Sequence, residues 1–299
     1  MNKTLISIVG PTASGKTELG IAIAQHFKTE IISADSRQFY REMNIGTAKP
    51  STLELATVKH HMVDSLSIHD EYSVGAFERE VIELLEKLFE NKDAVVMVGG
   101  SGLYFKAIWE GLDDMPEVDQ DLRAELNEYV KQNGLNALLE ELKQQDPIHY
   151  GVVDQQNPQR VIRAIEVVRT TGRPYSDLRK QQSVERNFKN IKIGIDYPRE
   201  DLYERIDARM DQMILGGLFE EAEALYPFRN VNALQTVGYS EIFGMKEGEY
   251  DREEAERLLK RNSRRYAKRQ FTWFRRYDDI VWVKPGELDQ VISLIEARC

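Results

Sequence analysis

The run Gly10-Pro11-Thr12-Ala13-Ser14-Gly15-Lys16-Thr17 constrains this chain more than any other segment, because it fits the pattern G-x-x-x-x-G-K-[ST]. It follows the apolar stretch Leu5 to Val9, which reads as a buried strand, and precedes a helical stretch from about Lys16 to Phe27. In that setting the backbone N–H groups from Ala13 to Thr17 can curl around an anion, with the helix dipole adding to the attraction. Lys16 is expected to neutralise phosphate oxygens, and Thr17 to offer a hydroxyl ligand to Mg²⁺. The motif implies a diphosphate without saying which molecule carries it.

The flanking sequence supplies a sheet for this loop. Glu30 to Ser33, His61 to Val63 and Ala94 to Val98 read as further strands, Val74 to Phe89 as an amphipathic helix, and Gly99, Gly100 and Gly102 as a turn into a helix near Leu103. Such alternation predicts an α/β fold, a P-loop NTPase-like parallel sheet flanked by helices. From Met115 the strand signal stops, and helical periodicity runs through Leu122, Leu126, Leu135, Leu138, Leu139 and Leu142 and again from Arg160 to Val168. Strands resume at Ile191 to Ile195 and Ile280 to Val283. We therefore expect an α/β core of residues 1–115 and 189–299 with C-terminal helices, interrupted by an all-helical insertion of residues 116–188.

A formal charge of −10 argues at first against a nucleic-acid partner. Acidic residues crowd Glu117 to Glu141 and Glu247 to Glu256, however, while Arg257 to Arg276 is dense in Lys and Arg. Fields act within roughly 10 Å in physiological salt, so a basic face can bind RNA on an acidic protein. Arg257, Arg261, Arg265 and Arg269 recur every fourth residue beside Lys260, Arg264 and Lys268, a stripe suited to a phosphate backbone or simply to water. Phe271, Trp273, Phe274 and Tyr277 read as core. No apolar run reaches membrane-spanning length, so a cytoplasmic protein without membrane contact is expected. The lone Cys299 excludes an intramolecular disulfide, and the adjacent His60 and His61 point to opposite faces of a strand and read as structural.

The strand Ala94 to Val98 ends in glycines rather than in the Asp that an NTPase commonly uses for magnesium. The nearest carboxylate is Asp35, at the end of the second strand, where a ligand crevice opens. It is either a proton acceptor or a turn aspartate. Arg205 and Arg209, four apart on a predicted helix, form either a clamp for the far phosphate or a solvated face paired with Glu204 or Asp201. Gln159, Arg160 and Arg163 start a helix after Pro158, where side chains project past the first turn and suit an unstacked RNA loop.

Seven blocks together resemble the tRNA dimethylallyltransferases, also called tRNA isopentenyltransferases. They are residues 10–17, Ser33 to Tyr40 (SADSRQFY), Asn44 to Pro50 (NIGTAKP), His60 to Asp64 (HHMVD), Gly99 to Tyr104 (GGSGLY), Asn157 to Glu166 (NPQRVIRAIE) and Val237 to Glu241 (VGYSE). Departures are small: Met62 and Val63 stand for commoner Leu and Ile, and Ser101 for a frequent Thr. The resemblance implies that Gly10, Pro11, Thr12, Ala13, Ser14, Gly15, Lys16 and Thr17 hold the diphosphate of dimethylallyl diphosphate, and that Asp35 acts as general base toward the adenosine 3′ of the anticodon. Lys16 and Thr17 join Asp35 as catalytic groups, with Thr17 as the Mg²⁺ ligand. Expected contacts to the tRNA anticodon stem-loop are Asp35, Ser36, Arg37, Gln38, Ser101, Arg123, Gln159, Arg160, Val161, Ile162, Arg163, Gly238 and Tyr239, with Arg261 and Arg265 from the stripe. The enzyme is expected to act as a monomer. A small-molecule kinase would instead consume nucleotide, an adenylate isopentenyltransferase would need no RNA-gripping insertion, and a non-catalytic RNA-binding module would not need Lys16, Thr17 and Asp35 together.

Overall fold

The computed structural model describes residues 3–117, 119–179 and 183–299. Val118 and residues 180–182 of the expected insertion lie outside the described residues. In chain order the first unit contains β1 (Thr4–Val9), α1 (Lys16–His26), β2 (Ile31–Ser33), α2 (Thr52–Thr57), β3 (His60–His61), α3 (Val74–Phe89), β4 (Ala94–Gly99) and α4 (Gly102–Glu110). The chain then forms α5 (Gln120–Asn133), α6 (Asn136–Gln145), α7 (Pro147–Tyr150), α8 (Pro158–Thr171) and α9 (Tyr175–Leu178) before returning as β5 (Lys189–Ile195). It continues through α10 (Arg199–Leu215), α11 (Leu218–Leu225), α12 (Ser240–Lys246), α13 (Arg252–Phe274), β6 (Val281–Val283) and α14 (Leu288–Glu296).

The six strands lie in the order β3-β2-β4-β1-β5-β6, and all their pairings are parallel. Strands buried on both faces take mainly apolar residues, as β1 and β4 do; the buried polar exceptions are Thr4 and Ser7 of β1, with Ser7 donating to Asn190 and accepting from Trp109. Alternate residues then serve opposite layers. Leu5, Val9, Val95 and Met97 pack with Phe77, Val81 and Leu85 of α3 and with Phe105, Ile108 and Phe274. Ile6, Ile8, Val96 and Val98 pack instead with Ile23 and Ala24 of α1 and Val291 and Ile295 of α14. Phe274 is fully buried, Trp273 and Tyr277 pack against its cluster, and Phe271 stacks on Trp282 at 5.5 Å, as expected for a core segment.

The register fixes where the site forms. Val9 pairs with Gly99 and Ser33 with Val98, so β1, β4 and β2 end side by side and release residues 10–15, 100–101 and 34–38 at one edge. Gly99 is required there, since an added Cβ would stand 2.2 Å from the Ala34 carbonyl oxygen.

The chain divides into two compact units, Met1–Trp109 with Glu185–Cys299, and Glu110–Val184. The second is all helix and closes on its own core of Leu126, Leu138, Leu142, Val161, Ile162, Ala164 and Ile165. Its ends meet, with Val184 N–H donating to the Glu110 carbonyl at 2.7 Å.

Candidate active site

The loop after β1 has an irregular backbone: Gly10, Ala13 and Gly15 all have positive φ, at 151°, 64° and 83°. Glycine takes such angles freely, while Ala13 holds one at a cost of the kind that clusters at functional sites. Gly15 caps α1 without any side-chain hydrogen bond, leaving the first-turn N–H groups directed at the space before the helix. Lys16, in the first turn of α1, donates to the Pro11 carbonyl.

The pocket at this edge is lined by Thr12, Lys16, Thr17, Asp35, Gln38, Gly100, Arg209, Tyr266 and Gln270, with Ile31, Ala48, Pro50, His60 and Val98 among the residues on its other walls. Arg205 and Arg209, one turn apart on α10, both turn to the loop. Arg205 Nε donates to the Ala13 carbonyl at 3.0 Å, and Arg209 donates to the Thr12 hydroxyl. Burial lowers the Lys16 pKa to about 7, helped by Arg209 and opposed by Asp35. Burial also lowers Arg209. It raises the Asp35 carboxyl, against the pull of the Arg37 N–H and of the Lys16, Arg37 and Arg209 charges. One Asp35 oxygen accepts from Arg37 N–H at 3.0 Å, the turn bond of an aspartate; both readings of Asp35, turn residue and pocket carboxylate, hold at once.

The neighbouring residues are held by a hydroxyl network. Ser101 Oγ accepts from Ser36 N–H at 3.0 Å and bonds the Ser36 hydroxyl at 3.3 Å. Tyr266 of α13 bonds Ser101, and burial pushes its phenol up to about 12, so it stays neutral. Gln38 spends its amide internally: it accepts from Ser33 Oγ at 3.0 Å and donates to the Thr47 and Ala48 carbonyls at 3.3 and 3.1 Å. It thereby pins the 44–48 loop beside the pocket.

Several expected RNA contacts are placed elsewhere. Tyr239 is wholly buried and gives its hydroxyl to Glu221 at 2.6 Å, while the buried Gly238 donates its N–H to Glu241 at 2.9 Å. Glu221 in turn accepts from the N–H groups of Asn44, Ile45 and Gly46 at 2.9–3.0 Å. Gly238 and Tyr239, both buried, thus brace the 44–48 loop from behind. Helical spacing turns Val161 and Ile162 inward to the core of the insertion, while Gln159 and Arg160 stay exposed. Arg123 and Arg163 converge on the fully buried carboxylate of Glu166, Arg123 Nε at 2.7 Å, and Arg163 also donates to the Pro116 carbonyl at 2.7 Å.

The cationic stripe of α13 is narrower than its spacing predicts. Arg257 pairs with Glu254, Lys260 with Asp211 and Arg264 with Asp207, all at about 2.5 Å. Arg265, Lys268 and Arg269 are exposed; Arg261 is half-buried, with its Nε on Asn262 at 3.2 Å. His60 lines the pocket with Nδ1 on the Val58 carbonyl at 2.8 Å, and His61 bonds Glu30 at 2.6 Å. The reading of residues missed Tyr266 and Gln270, which sit four apart on α13 as two walls of the pocket. That spacing was legible, but nothing in it distinguished them from an ordinary helix face.

A glycine-rich loop opening a helix at the C-terminal ends of an all-parallel sheet, with half-buried cations beside a half-buried carboxylate, defines a P-loop-type α/β fold. The family model described as IPP transferase matches residues 38–277. A tRNA dimethylallyltransferase from Cytophaga hutchinsonii is 52% identical over all of this chain and 98% of its own length. One from Christiangramia forsetii is 52% identical over 100% and 99%. The crystal structure of the tRNA isopentenylpyrophosphate transferase from Bacillus halodurans is 36% identical, with a TM-score of 0.72 and coverage of 99% of this chain and 96% of that one. The chain belongs to the IPP transferase family, that of the tRNA dimethylallyltransferases. The matched span begins at Gln38, after the loop that follows β1.

Proposed function

We propose that this enzyme transfers the dimethylallyl group of dimethylallyl diphosphate to N6 of the adenosine 3′ of the anticodon of tRNA, releasing diphosphate. The observation that carries this is the meeting of Lys16, Thr17, Arg209 and Asp35 in one pocket: a seat for a diphosphate next to a carboxylate able to take a proton. In the step, the N6–C1 bond forms as the bond from C1 to the diphosphate oxygen breaks, and the N6 proton passes to Asp35. An exocyclic amine is a poor nucleophile, and a positioned base is worth about 10² to 10⁴ in rate. Lys16, Arg205 and Arg209, with the N–H groups of the loop, take the charge that develops on the leaving diphosphate.

The donor set suits Mg²⁺. No three His, Cys, Asp or Glu converge among the described residues, so a bound ion would rest on the Thr17 hydroxyl and on substrate phosphates, as magnesium commonly does. It would supply further neutralisation of the leaving group. The tRNA would be gripped by Ser36, Arg37 and Ser101 at the pocket, by the exposed cations of α13, and by Gln159 and Arg160 at the start of α8. No helix among the described residues is long and apolar enough to cross a membrane. We further propose a cytoplasmic monomer.

The test incubates the protein with Mg²⁺, dimethylallyl diphosphate and unmodified tRNA and analyses the digested nucleosides by mass. Dimethylallyl-adenosine from the anticodon loop is the expected product. Modification of free adenylate but not of tRNA, or consumption of ATP with no prenylation, would overturn the assignment.

A further inference from the structure

Near its C-terminal end α13 buries a polar residue where a packed helix ordinarily buries an apolar one. Gln270 is 6% exposed, and a carboxamide at that depth costs free energy unless both of its ends are paired. Its Oε1 accepts from Thr12 N–H at 2.8 Å, and its Nε2 donates to the Gly100 carbonyl at 3.0 Å. Thr12 belongs to the phosphate loop and Gly100 follows β4, so this one side chain ties the loop to the neighbouring strand end. The fit has no slack: a Cβ added at Gly100 would stand 2.1 Å from Nε2.

Three other side chains that hold the loop are cations. Lys16 donates to the Pro11 carbonyl, Arg205 to the Ala13 carbonyl and Arg209 to the Thr12 hydroxyl. A diphosphate competes for all of them, because charge-assisted bonds to phosphate are stronger than bonds to neutral oxygens. Gln270 is neutral and has no comparable reason to let go. We propose that Gln270 is a positioning residue for the diphosphate of the prenyl donor, keeping the first half of the loop in its anion-ready form while the cations turn to the ligand, a role that rests on the donor site proposed above. Without the tether the loop must be ordered at the moment of binding, which lowers affinity without altering the groups that perform the transfer.

Gln270→Met keeps the shape and loses both hydrogen bonds. Gln270→Glu keeps the acceptor for Thr12 N–H and regains a donor toward Gly100 only when its carboxyl is protonated. Calorimetry with Mg²⁺ and either dimethylallyl diphosphate or inorganic diphosphate measures the seat; tRNA binding and the separate values of KM and kcat measure the rest. Gln270→Met should weaken both diphosphates about 10-fold. The donor KM should rise more than kcat falls, with tRNA affinity unchanged. For Gln270→Glu the deficit relative to wild type should shrink as pH falls. Lys16, Asp35, His60 and Tyr266 line the same pocket and titrate in both proteins, and Arg209 keeps its charge in both, so the ratio to wild type at each pH isolates residue 270. A folded Gln270→Met with wild-type donor affinity, equal losses toward donor and tRNA, or a Gln270→Glu deficit independent of pH would each overturn the role. Failure of the wild-type protein to bind either diphosphate would instead remove the donor site, and this role with it.

Discussion

Asp35 and Lys16 share a buried pocket in which each supports the other's charge against the loss of water. Since Asp35 works as a base only when ionised and burial raises its pKa, the acid limb of kcat/KM should lie above the ordinary carboxylate range, with activity lost as pH falls through it. Asp35→Asn should lower the single-turnover rate by about 10²-fold or more with both substrates saturating. A near-normal rate would mean that water or the departing diphosphate takes the proton. Lys16 carries the opposite shift, to about 7. Its folded pKa lies below the unfolded value of about 10.4, so the unfolded chain binds the extra proton between the two, and stability of the ligand-free protein should rise with pH across that window. A bound diphosphate raises the ammonium again, so binding near pH 8 should take up a proton. Calorimetry in buffers of different ionisation heat should detect that uptake in the wild type and lose it in Lys16→Met; equal uptake in both would move the titration to another group.

At the scale of elements, what was legible in the sequence follows the physics of periodicity. β1 and β4 announce themselves because two-sided burial leaves few polar positions, Thr4 and Ser7 of β1 being the exceptions. The loop motif announces itself because its chemistry requires fixed residues at fixed spacing. Tyr266 and Gln270 were not legible, since the partner that gives Gln270 its meaning, Thr12, lies 258 residues away. Nor was the split within α13 between cations that hold the fold and cations that face solvent, because the pairing carboxylates Asp207 and Asp211 come from α10. That split can be measured. Arg265→Ala should weaken binding of all tRNAs alike and reduce the salt slope by about one. Arg264→Ala should instead lower the melting temperature and loosen α10, which carries Arg205 and Arg209, and so affect diphosphate before RNA. A change in which tRNA is modified by Arg265→Ala, with the salt slope intact, would make Arg265 a base reader.

At the scale of the whole molecule the chain is two units that close separately, and the closure of the second has a clear chemical centre. Glu166 is fully buried in α8 and is held by Arg123 from α5 and Arg163 one turn back on its own helix. Removing one member of a buried ion group leaves uncompensated charge, at a cost of about 3–5 kcal/mol, whereas the intact group adds little net stability. Glu166→Gln should therefore unfold the 110–184 unit at lower denaturant while the transition of the α/β unit stays in place. The hydrogen bond from Val184 to Glu110 brings the ends of that unit together, so residues 110–184 can be excised and the cut closed by a short Gly/Ser linker. The shortened protein keeps every residue that lines the diphosphate seat, Thr12, Lys16, Thr17, Asp35, Arg209 and Gln270 among them, and should bind diphosphate like the full chain. It loses Gln159 and Arg160, and its affinity for tRNA should fall at least about 10-fold if those residues and their helix grip the anticodon arm. Retention of full tRNA affinity by a folded, diphosphate-binding deletion would confine RNA recognition to the α/β unit and leave α13 as its principal surface.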